Sequence, residues 1–351
     1  KDKTVRRIIR RTVLITTMDD IEFKKLFHGV YDFLTCENGY TSFSRYSAEQ
    51  REYLRFNDFF FVRTTFDGSI TLEFTTCATD FGFDYKILGV SSKDTFDLYV
   101  NGELAAQNKI AELSEEGKLD YRLESGEKNV VLYFPIDADI AVKNFYSDKP
   151  CNAVKKGCRV LFIGDSITQG YGTFETGKTF VNAANRILGY ELLNQGVGGY
   201  YFDKNSLVPL KKFVPDKVVV AMGTNLCYWD DKEKYVAGFF EKLPSVYPDV
   251  PVLAVTPLWR ADYPDAFDEV CKVRDLIEKY SSPLKNVTVI HGDELIPHDE
   301  KYFYDKLHPN AVGGEMLPQK SKKLNFNRKD NDEKVYLFFS CRRFMFFGGR
   351  L

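Results

Sequence analysis

Four apolar runs in the second half of the chain, at 159–163, 217–222, 252–256 and 287–290, alternate with helix-length stretches near 179–189, 232–245, 266–281 and 311–324. That alternation is the strongest constraint on the fold. A continuous apolar strand must be covered on both faces, and helices returning the chain to a parallel neighbour provide the cover. In such sheets ligands collect beyond the carboxyl ends of the strands, so those ends are where chemistry is sought.

The first half has another rhythm. Runs of β-branched and aromatic residues at 59–65, 69–76, 81–88, 95–100 and 129–134 read as short strands. Ile70, Leu72 and Phe74 alternate with Thr71 and Glu73, as a half-buried strand requires. Asp67-Gly68 and Asn101-Gly102 are read as hairpin turns needing positive φ. Short strands at this spacing predict an antiparallel sandwich. The segment SDKPCNAVKKG, rich in charge and without periodicity, marks the boundary. The expected division is an N-terminal extension at 1–28, a β-sandwich at 29–147, a linker at 148–157, an α/β domain at 158–326 and a C-terminal tail of unassigned role at 327–351. Residues 1–17 are basic, and Met18 is read as the natural start.

A 351-residue chain with a formal charge of -2 is not a general binder of nucleic acid or anionic membrane, so the expected partner is a small molecule. No apolar run reaches the roughly 20 residues that span a bilayer. The seven cysteines, Cys36, Cys77, Cys151, Cys158, Cys227, Cys271 and Cys341, are odd in number and form no CxxC or zinc-like spacing. Free thiols and a cytoplasmic location are the expectation, with no metal and no cofactor.

The residues that carry chemistry fall at the strand ends in order. The run CRVLFIG leads directly into Asp165-Ser166, between Gly164 and Gly170, which exposes a hydroxyl on a sharp turn. Serine is a weak nucleophile and needs both a base and donors for the oxyanion formed on attack. The second strand ends in Asn194-Gln195-Gly196-Val197-Gly198-Gly199, a turn whose bare backbone lets N–H groups approach a ligand. The third, KVVVAMG, ends in Thr224-Asn225, whose side-chain amide suits developing negative charge. Two residues separate Asp305 from His308 in DKLHPN, so one turn can present both, the carboxylate fixing the imidazole tautomer. The other histidines, His28, His291 and His298, read as structural.

These four elements together resemble the SGNH/GDSL hydrolase superfamily over about 158–324: a Gly-Asp-Ser strand end, a glycine turn, a Gly-x-Asn turn and an Asp-x-x-His-Pro segment. The resemblance implies a flavodoxin-like three-layer parallel-sheet domain and hydrolysis of carboxylic esters by a Ser-His-Asp triad. It makes Ser166 the nucleophile, His308 the base and Asp305 its orienter, with an oxyanion hole from the Ser166 and Gly199 N–H groups and the Asn225 amide. Gly199 is chosen over Gly198 because the family's glycine falls five residues after an asparagine such as Asn194. Ile167 stands for the usual leucine and Leu226 for a frequent aspartate.

The preceding half also resembles the jelly-roll-like sandwich of some two-domain carbohydrate esterases, which points to O-acylated, chiefly O-acetylated, sugars or oligosaccharides. Trp259 and Arg260 are candidates for a stacking plane and a hydrogen-bonding fork for such a ligand. Three rivals are weighed. A lysophospholipase or thioesterase would need an apolar acyl groove. A non-catalytic carbohydrate binder would have no use for a complete triad. GTFETGKT at 172–179 matches the phosphate-loop pattern GxxxxGK[ST], but no apolar strand runs into its first glycine.

Overall fold

The computed structural model describes residues 16–324; most of the basic leader and the tail from 327 lie outside the described residues. The parallel sheet has five strands in the order Glu191–Gly196, Arg159–Gly164, Lys217–Ala221, Val252–Val255, Val287–Ile290. This is the 2-1-3-4-5 order of flavodoxin-like folds.

The continuous apolar runs are explained by burial on both faces. Leu161 and Ile163 join Val218, Val220, Phe239, Phe240, Val270 and Val273 in one cluster. Their sequence neighbours Val160 and Phe162 join Val181, Leu192, Val219 and Leu253 in another. Helices Lys232–Val246 and Ala266–Ser281 pack together, as do Phe180–Leu188 and Ala311–Leu324. The first strand lies between the second and third, so the chain leaves it in opposite directions and opens a crevice at its carboxyl end.

The first half forms two six-stranded antiparallel sheets. One runs Asp32–Thr35, Thr41–Ser44, Ala138–Ser147, Asp80–Val90, Glu116–Arg122, with Thr16–Thr17 added along Ala138–Ser147. The other runs Cys151–Ala153, Thr71–Thr76, Lys128–Tyr133, Thr95–Val100, Glu103–Lys109, with Phe27–His28 added to Thr71–Thr76. Phenylalanines fill the space between, such as Phe43 against Phe134 (centroids 5.6 Å apart) and Phe74 against Phe81 (5.2 Å). Asn101 and Gly102, at φ 53° and 87°, make the expected two-residue hairpin.

Several expectations are corrected here. The run at 59–65 is not a strand: Asp58–Arg63 is a helix, because Asn57 caps it by accepting the Phe59 N–H at 2.9 Å. Phe60 then packs on Val197 and Tyr200, so tertiary burial overrides the strand preference of its aromatic residues. Asp67-Gly68 is not a hairpin turn; the positive φ belongs to Ser69 (66°), and the buried Asp67 carboxylate accepts the Ile140 N–H at 3.0 Å. Residues within 1–28 are not merely an extension, since Phe23, Leu26 and Phe27 enter the sandwich core. Nor is 148–157 only a linker, since Cys151–Ala153 pairs with Thr71–Thr76.

The two halves are joined by hydrogen bonds rather than by apolar contact alone. Arg45, fully buried, reaches from the sandwich to the end of the second parallel strand, donating to the Asn194 carbonyl through Nη1 and to the Phe66 carbonyl through Nε at 2.7 Å. Tyr46 Oη donates to Gly196 O at 3.1 Å, and Gln50 Nε2 to Gln195 Oε1 at 2.9 Å. Three of the bonded groups, Asn194 O, Gln195 Oε1 and Gly196 O, belong to the strand that leads into the glycine turn.

Candidate active site

Ser166 opens a four-residue helix, Ser166–Gln169, directly after the first strand. Asp165 caps it by accepting the Ile167 N–H at 3.0 Å, and Gly170 ends it at φ 111°. Thr168 ties the turn down through Oγ1 to Ala221 O at 2.7 Å, so close that a methyl group on Gly164 would fall 2.0 Å from that hydroxyl. Glycine at 164 is therefore a packing requirement.

His308 arrives from the far end of the domain. Its Nε2 lies 2.8 Å from Ser166 Oγ and its Nδ1 2.8 Å from Asp305 Oδ2. Asp305 also accepts the His308 and Leu307 N–H groups, at 2.8 and 3.2 Å. Burial alone would raise the Asp305 carboxyl, but the His308 ring, the His308 backbone and the Leu307 N–H outweigh it and hold the group at about 2. An ionised Asp305 accepts the hydrogen bond of the Nδ1–H, which keeps the proton on Nδ1 and leaves the Nε2 lone pair for the serine hydroxyl. Positive φ at Lys306 (67°) bends the DKLH turn so that both side chains converge. Tyr171 meets the imidazole edge-on, with centroids 4.8 Å apart.

The glycine turn and the Asn225 turn meet beside this chain. Gly198 donates its N–H to Gln169 Oε1 at 2.6 Å, whereas the Gly199 N–H has no protein acceptor among the described residues. Gly199 sits at φ 78°, and a methyl there would come 3.0 Å from the Phe59 ring. Asn225 donates one amide hydrogen to Tyr200 O at 2.8 Å, which fixes it against the same turn and leaves its second hydrogen available. Asp165 is pushed up to about 6 by complete burial, against the Ile167 N–H, the His308 charge and the Gly223 and Thr224 N–H groups.

The structure engages both Trp259 and Arg260 in contacts within the protein. Arg260 directs Nε and Nη2 to Asp262 and Nη1 to the Thr224 carbonyl at 2.8 Å, so its fork braces the turn that carries Asn225. Trp259 is stacked on His298 (5.4 Å, 11°) and tilted against Phe303 in a small core. The other histidines are also engaged: His28 Nδ1 with Glu191 across the two halves, His291 Nε2 with Glu278, and His298 Nε2 with Asp293 O. In the phosphate-loop look-alike, the Gly177 N–H points at the Asp97 carboxylate at 2.8 Å, so a protein anion already sits there. Among the described residues no group of three His, Cys, Asp or Glu side chains is arranged to hold a metal, and no helix is long and apolar enough to cross a membrane.

Residues 162–316 match the GDSL-like lipase/acylhydrolase family. This segment is a GDSL-like acylhydrolase domain. Its reaction class, hydrolysis of acyl esters, is accordingly that of an SGNH-type hydrolase. No curated protein sequence matches the chain significantly. Among solved structures, a putative GDSL-like lipase from Bacteroides ovatus has a TM-score of 0.72 at 17% identity, over 92% of this chain and 98% of the other. A salicylyl-acyltransferase from a tetracycline biosynthetic pathway has a TM-score of 0.65 at 20% identity, over 88% and 95%. An acetyl xylan esterase from Butyrivibrio proteoclasticus has a TM-score of 0.58 at 15% identity, over 90% and 99%. These similarities extend over both halves of the chain and concern the fold.

Sequence reasoning missed what the sandwich brings to this site. Gln169 joins the two halves: its Oε1 accepts from Gly198, and its Nε2 donates to the buried Asp137 carboxylate of the sandwich. Burial, then the neighbouring Asp94 carboxylate, raises the Asp137 carboxyl well above its ordinary range. Arg45 offered one signal, a lone charge within the apolar and hydroxylic run TSFSRYS. Asp137 and Arg63 offered none, since their importance depends on which strands and helices become neighbours.

Proposed function

We propose that this chain is a serine esterase that removes acyl groups, foremost O-acetyl groups, from a carbohydrate ester through an acyl-enzyme. The observation that carries the reading is the continuous chain from Ser166 Oγ through the His308 ring to Asp305, at 2.8 Å in both links. Ser166 attacks the ester carbonyl as His308 Nε2 takes its proton; Asp305 holds the ring and steadies its charge. The Ser166 and Gly199 N–H groups and the Asn225 amide receive the oxyanion, a single such donor being worth about 3 kcal/mol. His308 returns the proton to the departing alcohol, then activates a water that releases the acid.

The preference for a sugar rests on a partly exposed aromatic rim beside His308. Phe174 lies 4.8 Å from the exposed ring of Tyr304 and 6.4 Å from Tyr171, and such faces suit the apolar face of a pyranose. The acetyl xylan esterase similar in fold supports the same choice of acyl group. Free thiols at Cys36, Cys77, Cys151, Cys227 and Cys271 support a reducing, cytoplasmic setting.

Treatment with a fluorophosphonate followed by intact-mass measurement is expected to give one adduct, at Ser166, absent from Ser166→Ala. Turnover is then compared on p-nitrophenyl acetate, longer acyl esters and acetylated xylo-oligosaccharides. Activity that survives in Ser166→Ala removes the mechanism, and a preference for long acyl chains replaces the carbohydrate reading with a lipase or thioesterase one.

A further inference from the structure

Arg63 ends the sandwich helix Asp58–Arg63, and its side chain is carried onto the glycine turn after the second parallel strand. A methyl group built on Gly198 would lie 2.6 Å from Arg63 Nε and 3.0 Å from its Cδ, so the side chain rests directly on the glycine turn. Tyr171, packed edge-on against His308, is near enough for its charge to act on Arg63. The side chain therefore lies on the turn that presents the Gly199 N–H, and Gly198 of that turn is bonded to Gln169 of the helix that Ser166 opens.

Its position is held from several directions. The Arg63 carbonyl accepts from Arg45 Nη2 at 3.1 Å, Nη1 donates to the Phe59 carbonyl at 3.0 Å, and the guanidinium carbon lies 3.4 Å from the centroid of the Phe59 ring. A guanidinium laid on an aromatic face keeps its remaining N–H groups in a fixed fork.

What Arg63 lacks is an anion. Among the described residues no carboxylate is paired with it; the carboxylate whose field reaches it is Asp137, and that group is engaged by Gln169. Arg63 is only partly exposed, and burial pulls its guanidinium below the usual range against the opposing fields of Asp137 and Tyr171. The three other arginines near this end of the sheet contrast with it: Arg45 is saturated by carbonyls, Arg260 by Asp262 and Thr224, and Arg186 by Glu315 and the Gly177 carbonyl. A partly dehydrated cation with open donors beside a reaction centre is completed by a ligand anion.

We propose that Arg63 is a specificity-determining residue that receives a carboxylate carried by the ester substrate near the scissile bond. An O-acetylated acidic sugar is one carrier of such a group. The inference rests on the reading of Ser166 as nucleophile for its placement, but its chemistry is that of binding.

Three esters separate the possibilities: p-nitrophenyl acetate, neutral; 4-acetoxybenzoate, with the carboxylate on the alcohol portion; and mono-4-nitrophenyl glutarate, with it on the acyl portion. Relative to the neutral ester, Arg63→Ala is expected to lower kcat/KM for one of the two charged esters by about tenfold or more, mainly through KM. Arg63→Lys is expected to restore part of it, and the ester that responds tells which portion bears the charge. Calorimetry with Ser166→Ala protein, with and without Arg63→Ala, reads binding of the two charged esters without turnover. Equal losses on all three esters, no loss on any, or binding that is absent or insensitive to Arg63→Ala overturns the proposal. Turnover that persists in Ser166→Ala strikes the nucleophile assignment instead, and the binding measurement still decides the role of Arg63.

Discussion

The parallel-sheet domain and the sandwich contribute to the same crevice in different ways. Ser166, His308, Asp305, Gly199 and Asn225 all come from the parallel-sheet half, at strand ends or in the turn before the last helix. The sandwich supplies no member of that set. It supplies Arg45, which fixes the strand before the glycine turn, Asp137, which holds Gln169 under Gly198, and the helix that lays Phe59 and Arg63 over the turn. One half provides the proposed reacting groups and the other restricts where they stand. A domain of short strands with one internally packed core can therefore be part of an active site without carrying its chemistry.

The most severe way to break that division is to remove the base. His308→Ala is expected to lower kcat on p-nitrophenyl acetate by about 10³–10⁴-fold, leaving the residual rate that donors and binding alone support. Its thermal midpoint is measured alongside, because the ring is buried against Tyr171 and its removal also costs packing. A variant with near-normal kcat would place the base elsewhere.

The link between the halves comes next. Gln169→Leu keeps the volume of a fully buried side chain but leaves the Gly198 N–H and the Asp137 carboxylate without a partner. Donors for the oxyanion act only in the transition state, so kcat is expected to fall about 10–100-fold with KM nearly unchanged. If KM rises while kcat holds, Gln169 shapes substrate binding and the sandwich does not act through the glycine turn.

The smallest expected effect concerns Asp165. Its carboxyl is raised by burial to about 6, so the stability it contributes is complete below the ordinary carboxylate range and is lost as pH rises through about 6. Near pH 7.5 the fold keeps a buried charge at a cost on the order of 2–3 kcal/mol at most, taking about 1.4 kcal/mol per pH unit. Asp165→Asn carries no charge and retains an oxygen for the Ile167 N–H. Its thermal midpoint relative to the parent should climb by several degrees between pH 4.5 and 7.5. Parallel curves would mean that surrounding N–H groups already compensate the charge.

Much of the proposed reacting set is legible in the sequence because its members are tied to local backbone. Ser166 follows an apolar strand into a turn that only Gly164 permits, and Asp305 and His308 sit on one turn, so short stretches of sequence report them. Asp58–Arg63 was misread because an aromatic-rich run carries the same local preference in a strand or a helix, and the Asn57 cap and the contact with Tyr200 decided the outcome. Trp259 and Arg260 were placed near the site by their position after a strand, yet Asp262, Thr224 and His298 take up their interactions.

By itself the sequence determined the two architectures, the five-strand alternation and the residue types at each strand end, since periodicity and turn chemistry act over a few residues. Only the tertiary structure decided that Gly198, rather than Gly199, gives its N–H to Gln169, and that Arg45 and Arg63, from more than a hundred residues away, and Asp137, from a nearer part of the sandwich, are gathered around the glycine turn. Their hydrogen bonds and fields depend on distances set by how two separate cores pack, and no local pattern encodes those distances.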